Sequence, residues 1–469
     1  MRKIVVIGGV AAGSSAASKA KRIDPDADVK IIQDESVVSY GACGMPYVIE
    51  GIINNFGELI ERSTDIFKNQ YHIDVIVNTR AHKIDRLKKQ VYATDLKSSK
   101  EITFDYDSLV IATGARAVIP NIKGVDNKCV FLIRNYGDGV RISDSIKNAY
   151  SCVIAGAGLI GLEMAESFKK RNTKTTMTST RRGRNDMDVT VVELSDHILP
   201  TLLDKDMANI VQQELQDNGV KVILGERVQE IVSSNARNRQ VEYVETTAKR
   251  KIDADFVLLG TGVRPNSEIA AYTGIELGYA NAIRVDDYMR TNIPDIFAAG
   301  DCATSKNYIT NKDTYLPLGT TANKQGRVAG ENAAGGNAKF RGIAGSAITK
   351  VFDLFIGKTG LTRDEALKYG FEDTIEEEIE SITRAGYYPD TKPIWIKIVA
   401  DRKTKRVLGS QIVGGEAVKE RIDLISLALL LKADITDLAT YDACYVPPAS
   451  PVWEPINVAA SQLAKKLLL

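Results

Sequence analysis

One short design occurs twice in this chain, and it dictates most of what the chain can fold into. Lys3-Ile4-Val5-Val6-Ile7 runs into Gly8-Gly9-Val10-Ala11-Ala12-Gly13 and continues as Ser14-Ser15-Ala16-Ala17. Cys152-Val153-Ile154-Ala155 runs into Gly156-Ala157-Gly158-Leu159-Ile160-Gly161 and continues as Leu162-Glu163. Each copy reads as an apolar strand, a glycine turn and a helix of small and apolar residues. That is the context a dinucleotide-binding turn requires. The glycines let the backbone close on a pyrophosphate, and the helix N-terminus offers it free N–H groups and a partial positive charge. The second copy has Gly156, Gly158 and Gly161 at the full G-x-G-x-x-G spacing, whereas the first has Val10 in the middle position.

Such a turn also needs a polar group after the second strand to hold a ribose. Asp188-Val189-Thr190-Val191-Val192 ends in Glu193, 37 positions beyond Gly156 and well past the usual ~20. The excess falls in the polar, basic stretch 173–184, read as an insertion with Arg181, Arg182 and Arg184. Added loop length costs little. In the first copy Val29-Lys30-Ile31-Ile32 is followed by Gln33, with Asp34 and Glu35 as charged alternatives.

Three more landmarks follow in order. Leu109-Val110-Ile111-Ala112-Thr113-Gly114 and Phe256-Val257-Leu258-Leu259-Gly260-Thr261-Gly262 are apolar strands ending in Thr-Gly, and Ile296-Phe297-Ala298-Ala299-Gly300-Asp301 ends in Gly-Asp. Beyond about residue 339 strand and helix patterns mix and no nucleotide turn recurs. A length of 469 residues fits about three domains. The expected fold is α/β: two Rossmann-like dinucleotide-binding domains and a C-terminal α+β dimerisation domain. The expected bounds are 1–115 with 280–335, then 116–279, then 336–469.

Lys and Arg number 61 against 60 Asp and Glu, so no net field draws the chain to nucleic acid or an anionic membrane. No apolar run reaches the ~18 residues of a membrane span. Met1-Arg2-Lys3 and the brief apolar run before Gly8 read as a strand, not a secretion signal. Five scattered Cys fit a reducing cytoplasm, where a single well-placed thiol can serve as a catalyst.

These motifs, in this order, resemble the two-dinucleotide-domain flavoprotein disulfide reductases along nearly the whole chain. The segment Ser39-Tyr40-Gly41-Ala42-Cys43-Gly44-Met45-Pro46 carries one Cys where many members carry two. This is similar to the single-cysteine branch of coenzyme A disulfide reductases and coenzyme A persulfide and sulfur reductases, as is Tyr445-Val446-Pro447-Pro448.

The resemblance implies FAD held by Gly8, Val10, Ala11, Ala12, Gly13, Gln33, Asp34, Ser39, Ala112, Thr113, Gly114, Asp301 and Ala322. It implies NADH or NADPH held by Gly156, Gly158, Leu159, Ile160, Gly161, Glu163, Glu193 and Gly262. Glu163 orients the carboxamide in that scheme, and Glu193 favours NADH by repelling a 2′-phosphate. Folded back, the basic insertion would favour NADPH instead. Leu159 stands where relatives often have an aromatic gate, which predicts a more open flavin face.

Coenzyme A phosphates would meet Lys19, Arg22 and Arg62. Ala42 replaces an Asn common in the branch, which puts the substrate assignment in question. The catalytic set implied is Cys43 and Glu163 with Tyr445, Tyr387 or Tyr388 reaching in from the partner of a homodimer. A metal is not expected. Pro46 fits a first helical turn, so Cys43 is expected at a helix start with a lowered thiol pKa. Cys129, Cys152 and Cys302 read as packing residues, and Cys444 is expected to point away from the site if Tyr445 faces it.

The expected reaction is reduction of a small disulfide, persulfide or polysulfide. Oxidases and peroxidases of the branch place a His where this chain has Ala11; its three His are at 72, 82 and 197. An NADH oxidase or peroxidase is therefore the lesser alternative. A redox-responsive NADH-binding flavoprotein with little turnover is the alternative of another kind.

Overall fold

The computed structural model describes residues 1–171, 187–233 and 241–467. The basic stretch 173–184 thus lies outside the described residues. Three five-stranded sheets organise the rest. The first is parallel throughout, in the order Ile296–Ala298, Ser108–Ile111, Lys3–Ile7, Asp28–Ile32, Asp74–Ile76. The second is also parallel: Lys221–Ile223, Asp188–Val192, Ser151–Ala155, Phe256–Leu259, Val130–Phe131. The third is antiparallel: Ala347–Val351, Leu354–Gly360, Val407–Gly414, Pro393–Asp401, Thr374–Ile382.

The central parallel strands are buried on both faces. Ile4, Val5 and Val6 are inaccessible, as are Val153 and Ile154. This is why they read as unbroken apolar runs, not alternating ones. The fold is α/β with two Rossmann-like units and an α+β C-terminal unit. Ile296 pairs with Leu109, so a strand near residue 297 completes a sheet begun at residue 3. We propose the bounds expected above for the three units.

Six helices matter for the site. Helix α1 (Ala11–Ile23) and α2 (Met45–Glu50) belong to the first unit. Helix α3 (Leu159–Lys170) and α4 (Lys205–Asp217) flank the second sheet. Helix α5 (Gly319–Ala333) packs along α1, and α6 (Val418–Leu431) covers the third sheet.

The contact between α1 and α5 is made main chain to main chain. A Cβ on Gly326 would lie 2.2 Å from the Ala12 carbonyl oxygen, and one on Gly330 2.0 Å from that of Ala16. Small residues are therefore mandatory along this seam. Gly330→Ala should push the helices apart and cost about 1–3 kcal/mol, the usual range for overpacking a rigid core. Chemical denaturation measures this directly; an unchanged midpoint would mean the seam is slack.

Candidate active site

Both glycine turns have the same build. The Gly8 and Gly156 backbones lie in the left-handed region, at φ 99° and 107°. A Cβ on either would strike a neighbouring carbonyl: that of Ala112 at 2.2 Å for Gly8, that of Gly260 at 2.5 Å for Gly156. Gly13 and Gly161 close the turns, since a Cβ there would meet the carbonyl oxygens of Gly8 and Gly156 at 1.8 and 2.1 Å. Helix α1 begins after Val10, and α3 after Gly158, with neither a side-chain cap nor an acidic residue in the first turn. Their leading N–H groups are left for an anion. Nothing lies within 4 Å of the space a Gly158 Cβ would take. These features fit two dinucleotide pyrophosphates.

Gln33 and Glu193 do the same job in the two units. Gln33 Oε1 accepts from the Gly9 N–H at 2.7 Å, and Glu193 Oε2 accepts from the Ala157 N–H at 2.7 Å. The other Glu193 oxygen accepts from the Ser195 N–H at 2.8 Å. Ser39 braces the first turn by donating its N–H to the Gly9 carbonyl at 2.8 Å. Asp34 does not join this group; it is exposed, 3.6 Å from Arg80. Glu35 is drawn inward instead. It accepts from the Tyr40 hydroxyl at 3.0 Å and from the Tyr136 N–H at 3.1 Å, and burial holds its carboxyl above the usual range.

The Thr-Gly returns are tied through Asn266. The Thr113 hydroxyl donates to the Asn266 carbonyl at 2.6 Å, and the Asn266 side-chain amide donates to the Thr113 carbonyl at 2.9 Å. The Asn266 N–H donates to the Gly114 carbonyl at 2.9 Å. Gly262 accepts from the Val118 N–H at 2.9 Å. Asp301 is largely buried beside Arg134, whose Nη2 lies 2.5 Å from Oδ2. Ala322 packs against Gly300, and Gln325 Oε1 accepts from the Gly300 N–H at 2.8 Å. Sequence reasoning missed Arg134, Asn266 and Gln325. Each acts through a partner more than 20 residues away, so no local spacing marks it.

Cys43 occupies a single 3-10 turn, Ala42–Gly44, directly before α2, and Pro46 lies in the first turn of α2. The thiol is unpaired and exposed. Its position is the expected one, but its electrostatics are not. Desolvation raises its pKa, the Glu163 carboxylate raises it further and Asp301 adds to this, while Arg134 acts in the opposite sense. The expected lowering fails first because the thiol is desolvated, and then because Glu163 and Asp301 outweigh the one cation, Arg134, which is shared with Asp301.

Glu163 is not a solvated helix glutamate. Its Oε1 accepts from the Thr349 hydroxyl at 2.7 Å, across 186 residues of sequence. Burial raises its pKa and the Thr349 bond lowers it. Leu159 and Ile160 open α3 on the same turn.

The three tyrosines lie on the C-terminal unit and point outward. Tyr387 and Tyr445 are exposed, with their hydroxyls 3.0 Å apart, and Tyr388 is exposed beside them. Val446, Val452 and Trp453 are exposed on the same C-terminal unit. Cys444 is exposed, Cys152 and Cys302 are buried, and Cys129 is half-buried. Of the cations assigned to a phosphate, Lys19 pairs with Glu331 at 2.8 Å, and Arg62 reaches the α1 residue Ser18 at 3.2 Å. Arg22 is exposed in the last turn of α1. Among the described residues no helix is long and apolar enough to cross a membrane, and no cluster of His, Cys, Asp or Glu could hold a metal.

Comparison with known proteins agrees with this architecture. Residues 2–326 match the pyridine nucleotide-disulphide oxidoreductase family, and residues 346–455 match the dimerisation domain of that family. The chain belongs to this family and is an NAD(P)H-dependent flavoprotein oxidoreductase. It is 39% identical to an NADH oxidase of Methanocaldococcus jannaschii, over 99% of both chains. It is 36% identical to an NAD(P)H coenzyme A polysulfide/persulfide reductase of Pyrococcus horikoshii, over 98% of both. Among solved structures, an NAD-dependent persulfide reductase from A. fulgidus superposes with a TM-score of 0.92 at 37% identity, covering 99% of this chain and 83% of that one.

The tyrosine-bearing segment is held by one buried ion pair. Arg421 Nε and Nη2 bind the two Glu454 oxygens at 2.6 and 3.0 Å, and the Ser450 hydroxyl donates to the same carboxylate at 2.8 Å. Glu454→Ala would strand the buried guanidinium and should cost about 3–5 kcal/mol. Thermal unfolding would register that loss; a change below about 1 kcal/mol, the worth of a surface pair, would reassign the contact.

Proposed function

We propose that this enzyme reduces a low-molecular-weight disulfide, persulfide or polysulfide, linked to coenzyme A, through Cys43 as its single redox cysteine. The observation that carries the reading is an exposed, unpaired thiol at the head of α2, flanked by Glu163 and by the Arg134–Asp301 pair. The names of the P. horikoshii and A. fulgidus relatives support the substrate class.

The chemistry divides between cofactor and chain. FAD held at the first glycine turn, with Gln33 and Asp301 beside it, would supply the transfer of an electron pair from reduced nicotinamide to sulfur. The Cys43 thiolate attacks a substrate disulfide R–S–S–R; a Cys43–S–S–R bond forms and RS⁻ leaves. Two electrons then cleave that mixed disulfide, freeing the second RS⁻ and restoring the Cys43 thiolate. Each departing RS⁻ takes up one proton. Tyr445 and Tyr387 are suited to supply it, because their paired hydroxyls are exposed on the C-terminal unit and open to a second copy in the homodimer proposed here. In this reading the active site is shared across a homodimer, which the dimerisation domain and the exposed Val446, Val452 and Trp453 support. Arg22 and Arg62, with Lys19, meet the phosphates of coenzyme A from the α1 side.

Glu193 sets the nucleotide preference. Both its oxygens are already engaged by backbone N–H groups, so the carboxylate is fixed and charged beside the second glycine turn. A 2′-phosphate would be repelled there, which favours NADH. Oxygen reduction is the second reading, favoured by the name of the M. jannaschii relative. Ala11 gives that chemistry no imidazole.

Steady-state NADH oxidation with coenzyme A disulfide, sulfur and oxygen in turn tests the assignment. The two sulfur acceptors should each be at least about tenfold faster than oxygen, and Cys43→Ser should abolish them. Full turnover by that variant, or oxygen as the fastest acceptor, sinks the proposal. Tyr445→Phe with Tyr387→Phe should cut the sulfur reactions about 10²-fold or more, the usual size of a general-acid contribution.

A further inference from the structure

Thr349 belongs to the strand Ala347–Val351 of the third sheet, yet its side chain serves the second unit. It is buried, and among the described residues its hydroxyl is the one hydrogen-bond donor to the Glu163 carboxylate, at 2.7 Å. The same strand end grips α3 one turn further on. The Phe352 N–H donates to Glu166 Oε2 at 2.9 Å, and Lys350 Nζ to Glu166 Oε1 at 3.2 Å. Helix α2 packs on α3, which brings Glu163 against the Cys43 end of α2. From this geometry we propose that Thr349 is a positioning residue: it fixes the Glu163 carboxylate, and through it the C-terminal unit sets the charge beside the Cys43 thiol. The inference rests on Cys43 as the reacting sulfur and adds to that reading the residue that tunes it.

The charged surroundings leave room for such control. Cys43 faces Glu163 from α3, with Asp301 and Arg134 from the first unit's side. Glu163 is adjoined by Glu166 on its own helix. Tyr47 and Glu50 face these carboxylates from α2. Lys350 and Lys170 are both spent on Glu166. No cation in this group is bonded to Glu163, so the neutral Thr349 hydroxyl is what stabilises its ionised form.

The sign of the effect follows. The Thr349 bond favours the carboxylate and so lowers the Glu163 pKa against its burial. Without it, Glu163 stays protonated to higher pH. A neutral Glu163 no longer opposes the Cys43 thiolate, so the thiol pKa falls. Loss of one hydroxyl thus moves two titrations in opposite directions.

The test is the pH dependence of iodoacetamide alkylation of Cys43 in the reduced, flavin-loaded enzyme, with Cys43→Ser identifying the signal. At pH values below the thiol pKa, Thr349→Val should alkylate about threefold faster than wild type, since the rate follows the thiolate fraction. Thr349→Ser should restore the wild-type profile. Glu163→Gln should match Thr349→Val, and the double variant should add nothing further. A Thr349→Val profile identical to wild type, or effects that simply multiply in the double variant, would overturn the proposal. The readout needs no turnover, so it separates this inference from the substrate assignment.

Discussion

Everything at the proposed redox centre depends on how closely one backbone can approach another. The carbonyl oxygen of Gly8 occupies the space a Gly13 Cβ would need, and those of Ala12 and Ala16 do the same to Gly326 and Gly330. These contacts leave α1 without freedom to slide. Its position fixes the first turn, that turn fixes Ser39 through Gly9, and the segment from Ser39 leads into Cys43. Dispersion between close-packed atoms is weak pair by pair, but a seam this tight has one geometry.

The second constraint is electrostatic. The centre sets three carboxylates, Glu163, Glu166 and Asp301, against three cations, Arg134, Lys170 and Lys350, but shares the cations unevenly. The two lysines both serve Glu166, and Arg134 serves Asp301. Among the described residues Glu163 is left with a hydroxyl alone. Desolvation first, and this field second, resist the ionisation of the thiol, the reverse of what a helix start alone suggests.

Much of this was legible in the sequence. The parallel sheets followed from unbroken apolar runs ending in glycine, because such strands are buried on both faces. The place of Cys43 followed from Pro46 three residues later, since proline favours a first helical turn. Gln33 was legible as a polar residue at a strand end; that it would brace Gly9 was not, because a glutamine at that position has two faces to offer. Asp34 and Glu35 stand in the sequence as charged alternatives to Gln33; the structure leaves Asp34 exposed near Arg80 and turns Glu35 inward to Tyr40 and Tyr136. Arg134, Gln325 and Thr349 left no local trace. Each works across a long sequence separation, and a single Thr in a strand looks the same whether it faces solvent or a carboxylate.

The clasp on Glu166 has a mechanical consequence. A second one lies elsewhere on the same boundary: buried Lys397 of the third sheet pairs with Asp206 and lies 3.5 Å from Asp204, at the head of α4. A rigid body held at two separated points keeps at most one axis of rotation, and the packed surface between them removes that. The second unit therefore cannot swing away from the third sheet like a hinge without exposing charged groups whose partners sit on the other shore.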